Sequence, residues 1–169
     1  QKALDIVERI QESSAYMALS IEDFLNVSRI EQGRMKYENT HLDIKTMLER
    51  VVDEIRPVAL KKGLVLLFRS KCESKTIAFV DPGKTRQIIY NLIDNSIKYT
   101  PKGSIDVTVR DDLALKKIYV SIKDTGVGID EEGMKEVFEK FVRAKNANEV
   151  NVSGSGLGLY VAKQMAEAM

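Results

Sequence analysis

The spacing of apolar residues predicts a long helix at the start of the chain. No glycine or proline occurs between Ala3 and Ser28. Apolar side chains recur there at alternating steps of three and four, which forms a heptad-like seam. The seam comprises Val7, Ile10, Met17, Ile21 and Phe24, with Ala3, Ser14 and Ser28 completing the register. Such a helix can pack on its own domain, but the length of the seam, its position at one end of the chain and the charged opposite face favour a helical hairpin or a dimer bundle.

The pattern changes to a mixture of helix and strand after Gly33. A helical period runs from Asp43 to Lys62 and ends at Gly63, and Pro57 inside it predicts a kink or a break. The 169 residues suffice for one domain with a core, or for one domain with an appendage. The long first helix is the natural candidate for that appendage.

Four strand-like runs complete the pattern. They are Leu64–Phe68, Ile77–Val80, Ser104–Arg110 and Lys117–Asp124. The last two runs alternate apolar and polar residues, and residues 111–115 between them resemble a hairpin connection. One face of the sheet is therefore expected to be buried and the other to face water. We predict an α+β fold built as a two-layer α/β sandwich.

Composition excludes several classes of function. The 26 Lys and Arg residues against 25 Asp and Glu lack the basic excess of a general nucleic-acid or anionic-membrane binder. One cysteine, Cys72, and one histidine, His41, exclude an internal disulfide, a cysteine-ligated zinc cluster and a multi-histidine metal site. No apolar run reaches the roughly 20 residues that cross a bilayer, and no signal peptide opens the sequence. These features predict a cytoplasmic protein whose chemistry uses oxygen and nitrogen ligands.

A further helix predicted after Asp81 and Pro82 carries a distinctive polar stripe. Asp as N-cap and Pro in the first turn indicate its start, and Pro101 should stop it. The apolar side is formed by Ile89, Leu92, Ile93 and Ser96. On the opposite side Asn91, Asn95 and Lys98 fall within about 60° of one another, flanked by Asp94 and Tyr99.

The residue types on this stripe suit a magnesium–phosphate site. Asparagine is a poor helix-interior residue, so two on one face need a reason. Amide oxygens are ligands that Mg²⁺ accepts, and lysine supplies a point charge for phosphate. On this helix alone, a solvated polar face explains the pattern equally well.

Two glycine loops follow. In DTGVGID, Gly126 and Gly128 allow a close backbone approach, and Asp124 at the strand end is placed to accept a hydrogen bond from a ligand such as an exocyclic amine. In the second loop, SGSGLGLYVAKQM, Gly154, Gly156 and Gly158 stand before an amphipathic helix and can present free N–H groups to phosphate. Neither loop contains the P-loop pattern or a complete GxGxxG, and the signatures of eukaryotic protein kinases are absent.

The stretch between the glycine loops predicts a mobile lid. Phe138, Phe141 and Arg143 are followed by the polar segment AKNANEVNVSGS, with Gly154 near its end. The two phenylalanines can be plain core residues. Alternatively, they hinge a lid while Arg143 reaches a terminal phosphate.

In this order the elements resemble the catalytic ATP-binding domain of bacterial two-component sensor histidine kinases. NLIDNSIKYT resembles the N box of that family, DTGVGI its first glycine box, VFEKFVRA its F box and GSGLGLYVAK its second glycine box. FLNVSRIEQGRMKYENTHLDI resembles the end of the second helix of the dimerisation bundle and the linker strand after it. The resemblance covers about Ala15 to Met169.

The resemblance implies a Bergerat-type ATP-binding fold, with a mixed, mostly antiparallel sheet and three helices behind a long bundle helix. Residues 1–38 would be the bundle helix and residues 39–169 the catalytic domain, which would bind ATP and Mg²⁺. Asn95 would be the magnesium ligand, and Asn91 and Lys98 would contact the phosphates. Asp94 would polarise the acceptor imidazole.

The resemblance also implies how the rest of the nucleotide is held. Asp124 would read the adenine amine, and Arg143 would stabilise the terminal phosphate. Further residues implied at the nucleotide are Tyr99, Gly126, Gly128, Ile129, Phe138, Phe141, Gly154, Ser155, Gly156, Leu157 and Gly158. Catalysis would consist of positioning and charge neutralisation during phosphoryl transfer.

The chain also departs from that family. The family's acceptor histidine lies in the first bundle helix, whereas His41 lies in the linker, and relatives continue with two strands beyond Met169. We therefore expect a fragment that phosphorylates a separate histidine-bearing bundle, relays phosphate to a response-regulator receiver domain and forms a homodimer when intact. The alternatives are a catalytically silent pseudokinase or dimerisation module and a non-kinase ATPase of the same superfamily, such as the mismatch-repair, topoisomerase and heat-shock chaperone ATPases.

Overall fold

The computed structural model describes residues 2–73, 75–142 and 154–169. Within these ranges the chain forms helices and strands whose bounds follow. They are α1 (Lys2–Glu31), β1 (Thr40–Asp43), α2 (Ile44–Lys61), β2 (Val65–Lys71), β3 (Ile77–Val80), α3 (Pro82–Tyr99), β4 (Ser104–Asp112), β5 (Lys117–Asp124), α4 (Glu131–Glu136) and α5 (Gly158–Ala168).

The strands form two sheets in the described part of the chain. β1 pairs antiparallel with β3. In the second sheet, in the order β2-β4-β5, β2 runs parallel to β4 and β5 antiparallel to it. Helices α2 and α3 cover one face of this sheet and bury the alternating residues of β4, Ile105, Val107 and Val109, at 0% exposure. The α+β expectation is confirmed, with mostly antiparallel pairing.

Helix α2 runs without a break through Pro57 to Lys61. Of the kink or break expected at Pro57, the break does not occur. Pro57 is exposed, while the neighbouring Ile55 and Ala59 are buried at 1% and 0%, so packing on both sides of the proline keeps the helix in place. Gly63 ends this segment with φ of +72°, a backbone conformation that glycine adopts readily.

The β4–β5 hairpin turns later than its sequence pattern indicates. Residues 111 and 112 continue β4, and Asp112 pairs with Lys117, so the connection is residues 113–116 rather than 111–115. The Leu115 N–H donates to Asp112 Oδ1 at 3.0 Å, and this hydrogen bond stabilises the turn. Asp112 is of a residue type that is common in loops, which is why the sequence pattern predicts a loop there. Strand β2 likewise continues three residues past Phe68, to Lys71.

Helix α1 packs on the domain through its C-terminal half and with a face other than the heptad-like seam. The seam residues Val7, Ile10, Met17, Ile21 and Phe24 are each more than half exposed. Val27, in contrast, is buried in a small cluster with Leu157, Val161 and Met165. A bundle partner for the seam therefore stays a prediction. No helix in the described ranges is long and apolar enough to cross a membrane.

Candidate functional site

A cleft of about 680 Å³ opens between α3, the end of β5, the two glycine loops and α1. It gathers side chains and backbone that are far apart in sequence. The sequence-predicted residues that line it are Asn91, Asp94, Asn95, Lys98, Tyr99, Asp124, Gly128, Ile129, Gly154, Ser155, Gly156 and Gly158. The polar stripe of α3 therefore faces both glycine loops, and a plain solvated face does not describe it.

Helix α3 is fixed at its start by Asp81. Its Oδ1 accepts from the Lys84 N–H at 2.9 Å and its Oδ2 from the Glu38 N–H at 2.8 Å, so one carboxylate caps the helix and holds the preceding linker. Backbone hydrogen bonds, including these two, lower the pKa of Asp81 although desolvation alone would raise it. The helix ends at Tyr99, and Thr100 is extended before Pro101 as expected.

The C-terminal end of α3 is held from α2. Lys62 Nζ donates to the carbonyl oxygens of Ile97 and Lys98, each at 2.7 Å. A cation at these otherwise open carbonyls satisfies the helix terminus and complements its dipole. Burial lowers the pKa of Lys62. The residues of the polar stripe therefore stand on a helix fixed at both ends.

The α3 stripe and the second glycine loop together line one end of the cleft. Asn91 Nδ2 donates to the Gly158 carbonyl oxygen at 3.4 Å, which brings the loop and α3 together. Lys98 Nζ lies 2.7 Å from Asp94 Oδ2 in an ion pair one helical turn apart. Leu92, placed by its spacing on the apolar side of α3, lines the cleft because it lies at the boundary of the two faces.

The opposite end is formed by Asp124 at the end of β5. Its Oδ2 accepts from Ser96 Oγ at 3.2 Å, and its Oδ1 accepts from the Gly126 N–H at 2.9 Å. Val120 and Ile122 on the same strand supply apolar wall. A carboxylate oriented by two donors beside an apolar wall suits a flat heterocycle that carries an amine.

Gly126 does not line the cleft but determines its shape. A Cβ at this position would lie 2.4 Å from the Tyr99 carbonyl oxygen and 2.9 Å from Asp124 Oδ1. The neighbouring Val127 N–H donates to the Tyr99 oxygen at 3.1 Å. Only a residue without a side chain allows this loop to pack against the end of α3.

Three other predicted residues lie outside the cleft lining. Phe138 and Phe141 are 42% and 65% exposed, so a core role for them is wrong. The Phe141 N–H donates to the Gly156 carbonyl oxygen at 3.0 Å, which joins the F-box segment to the second glycine loop. Leu157 is 2% exposed and packs with Val161. Arg143 and the predicted lid through residue 153 lie outside the described residues.

Sequence reasoning missed two groups of cleft residues. Glu54, Arg86 and Tyr90 extend the lining beyond Asn91, with Arg86 Nη2 2.5 Å from Glu54 Oε2 and Arg86 Cζ 5.8 Å from the Tyr90 ring. Burial, with Asp94 and Glu54 nearby, raises the pKa of Tyr90. A four-residue spacing links Arg86, Tyr90, Asp94 and Lys98, and this signal was available in the sequence.

The second missed group lies on α1. Ser20, Glu22 and Asp23 line the cleft, and Ser155 Oγ donates to Asp23 Oδ2 at 3.3 Å. Burial raises the pKa of Asp23, while the Ser155 hydrogen bond and the charge of Lys98 act in the opposite direction. Nothing in the periodicity of α1 distinguishes this residue, because it lies beside the seam residue Phe24.

The oxygen ligands that the cleft offers fit a magnesium ion only when a phosphorylated ligand is bound with it. In the described ranges no group of three or more His, Cys, Asp or Glu residues could hold a metal. The amides of Asn91 and Asn95 supply few protein oxygens, and Mg²⁺ commonly completes its shell with phosphate oxygens and water. The cleft therefore suits Mg²⁺ bound together with a phosphorylated ligand.

Comparison with known proteins identifies relatives of this chain. A family profile described as histidine kinase-, DNA gyrase B- and HSP90-like ATPase matches residues 80–169, more than half of the chain. The sensor kinase/phosphatase LuxQ of Vibrio cholerae is 30% identical over 93% of this chain and 19% of its own length. The signal transduction histidine-protein kinase BarA of Escherichia coli K12 is 31% identical over 98% of this chain and 18% of its own.

A solved structure resembles the whole chain. Full-length ShkA in complex with AMPPNP has a TM-score of 0.81 and 25% sequence identity, covering 100% of this chain and 34% of ShkA. The likeness therefore includes α1 as well as the sandwich. The chain spans about a fifth of the length of the curated relatives named above.

Proposed function

Because the chain belongs to the family of histidine kinase-, DNA gyrase B- and HSP90-like ATPases, we propose that it is the ATP-binding kinase module of a sensor histidine kinase. The module would transfer the terminal phosphate of ATP to a histidine on a dimerisation bundle, for relay to a response-regulator receiver domain. The intact protein would act as a homodimer, with this module in the cytoplasm. Its relationship to LuxQ and BarA supports this assignment.

The observation that carries the proposal is one cleft with two chemically different ends. Asp124, with its two donors, and an apolar strand form one end. Asn91, Asn95, Lys98 and the second glycine loop form the other. A purine nucleotide has this distribution of chemistry, with an amine-bearing base and an anionic phosphate chain.

The residues would act by positioning and by charge. Lys98 would leave its ion pair with Asp94 to contact phosphate oxygens, and backbone N–H groups at Gly156 and Gly158 would face the chain. The Asn95 amide oxygen would hold Mg²⁺, which supplies charge neutralisation when bound. Asp94, released from Lys98, would be available to the acceptor imidazole. Arg143 is proposed at the terminal phosphate.

The acceptor is proposed to come from another segment. The chain's one histidine, His41, is exposed in β1 with its ring 5.3 Å from Phe79. It does not line the cleft, so it is a poor acceptor. Incubation with labelled ATP and a separately supplied histidine-bearing bundle should give acid-labile phosphate on the bundle. Binding without transfer would favour a pseudokinase, and hydrolysis without transfer a non-kinase ATPase.

Nucleotide binding itself has a direct test. A ligand at 100 times its Kd adds about 2.7 kcal/mol to the free energy of unfolding, so Mg²⁺ and ATP should raise the Tm measurably. Asp124→Ala should weaken adenine nucleotides by about 1–3 kcal/mol and reduce the preference over GTP. Asp106→Ala, which removes a carboxylate of the same sheet outside the cleft lining, is the control. Unchanged discrimination between ATP and GTP in Asp124→Ala would contradict the role of Asp124.

A further inference from the structure

We propose that helix α1 competes with the phosphate chain of a nucleotide for the second glycine loop, with the Asp23 carboxylate in the place of phosphate oxygens. The inference rests on the proposed function, because it assumes that Ser155 and Lys98 face phosphates when a nucleotide is bound. It concerns the regulation of that site by a segment that the chain itself carries.

The contact between Asp23 and the loop supports the proposal first. Ser155 Oγ donates to Asp23 Oδ2 at 3.3 Å, and both residues line the cleft. Lys98 lines the same cleft and is close enough to affect the ionisation of Asp23. A carboxylate that accepts from a loop hydroxyl near a lysine makes the interactions that a phosphate oxygen would make there.

The docking of α1 includes a stripe of three residues that are not part of the seam. Asp23, Val27 and Glu31 are spaced by four and lie on one helix face. Val27 is 6% exposed and packs with Leu157. Glu31 forms an ion pair with Lys140, in the segment before the predicted lid. The stripe therefore contacts the chain at residue 140 and again at residues 155–157.

Competition follows from charge and from shared donors. A phosphate chain at Ser155 would place further negative charge beside a partly buried carboxylate, and both would need the same hydroxyl. Nucleotide binding should then weaken the docking of α1, and docking should weaken nucleotide binding by the same factor. Coupling between two such equilibria is typically about 5- to 150-fold.

The test compares nucleotide affinities of two variants by calorimetry. Asp23→Asn removes the charge and keeps the shape, and Glu22→Gln removes a charge from the adjacent cleft residue without changing the Ser155 contact. ADP and a non-hydrolysable ATP analogue, with and without Mg²⁺, should bind Asp23→Asn at least about 5-fold more tightly than the unaltered chain. Glu22→Gln should show a smaller change. Adenosine, which lacks phosphates, should bind all three alike.

Hydrogen exchange provides a readout that does not depend on a variant. Saturating ATP analogue should increase amide exchange in residues 20–31 of the unaltered chain and decrease it in residues 154–160. Equal affinity of Asp23→Asn and the unaltered chain, or α1 protected further by nucleotide, would refute the competition. Weaker Mg²⁺-nucleotide binding by Asp23→Asn would instead make Asp23 a metal ligand and also refute it. Absence of binding in every variant would refute the proposed function itself.

Discussion

Replacement of Gly126 by alanine tests how closely the first glycine loop must approach α3. The added Cβ would stand 2.4 Å from the Tyr99 carbonyl oxygen. Carbon–oxygen contacts normally lie at about 3.3 Å or more, so the loop must move by roughly 1 Å. The Tyr99 oxygen is a backbone atom at the end of a capped helix, so it cannot rotate away from the added Cβ. Asp124 Oδ1, at 2.9 Å from the same Cβ, restricts the movement further.

The cost can be estimated from the bonds that this movement would disturb. The Gly126 N–H bond to Asp124 and the Val127 N–H bond to Tyr99 are 2.9 Å and 3.1 Å long. Each is worth about 1 kcal/mol net, and overpacking typically adds about 1–3 kcal/mol. Gly126→Ala should therefore lower the free energy of unfolding by about 3–5 kcal/mol, a large part of the 5–15 kcal/mol typical of a domain.

Urea denaturation followed by circular dichroism measures this difference. Gly154→Ala is the matched stability control, because a Cβ there meets no atom within 4 Å and its φ is not positive. It should change the free energy of unfolding by less than about 1 kcal/mol. Equal urea midpoints for the two variants would show that the loop can move away from α3 at little cost. The inference that Gly126 must lack a side chain to pack against Tyr99 would then be wrong.

Two further substitutions test the ends of the domain's linker and sheet. Asp81→Ala should lower the free energy of unfolding by about 1 kcal/mol or more, because it removes the N-cap of α3 and the partner of the linker. Asp81→Asn should retain most of the cap. Denaturation midpoints that fall equally in both variants would contradict the capping argument. Asp43 has its pKa lowered chiefly by the Thr76 hydroxyl, which donates to Oδ1 at 2.5 Å. Its stabilising effect is therefore complete above the unfolded pKa of about 3.8 and is lost as the pH falls through the lower folded value. Asp43→Asn should flatten the pH dependence of stability in that acid range, and an unchanged curve would exclude Asp43 as its source.

Short sequence patterns were enough to predict the start of α3, its polar stripe and the buried side of β4 and β5. Asp81 and Pro82 mark the start of α3, and the spacing of Asn91, Asn95 and Lys98 places a polar stripe on it; all of these need only helix geometry. The alternation in β4 and β5 likewise predicts which side is buried. These features were predictable because each is decided within a few residues.

Other features depend on contacts that no short window contains. Pro57 would break an isolated helix, but burial of α2 on both sides of it decides otherwise. The loop-like Asp111 and Asp112 become strand residues because β5 pairs with them. Asp23 enters the site only because α1 packs on α5, at a separation of more than 130 residues from Ser155. Tertiary packing therefore outweighs local preference at these positions.

Both ends of the cleft depend on the position of helix α3. Asn91, Asn95 and Lys98, at the end of the cleft proposed for the phosphates, stand on α3. Ser96 on the same helix orients Asp124. A displacement of α3 at either of its capped ends would therefore move together the groups proposed to face the base and the groups proposed to face the phosphates. Substitutions at Lys62, which holds the C-terminal end of α3, should for this reason weaken the binding of adenosine and of ADP by similar factors. Loss of the Lys98 side chain should weaken the binding of ADP alone.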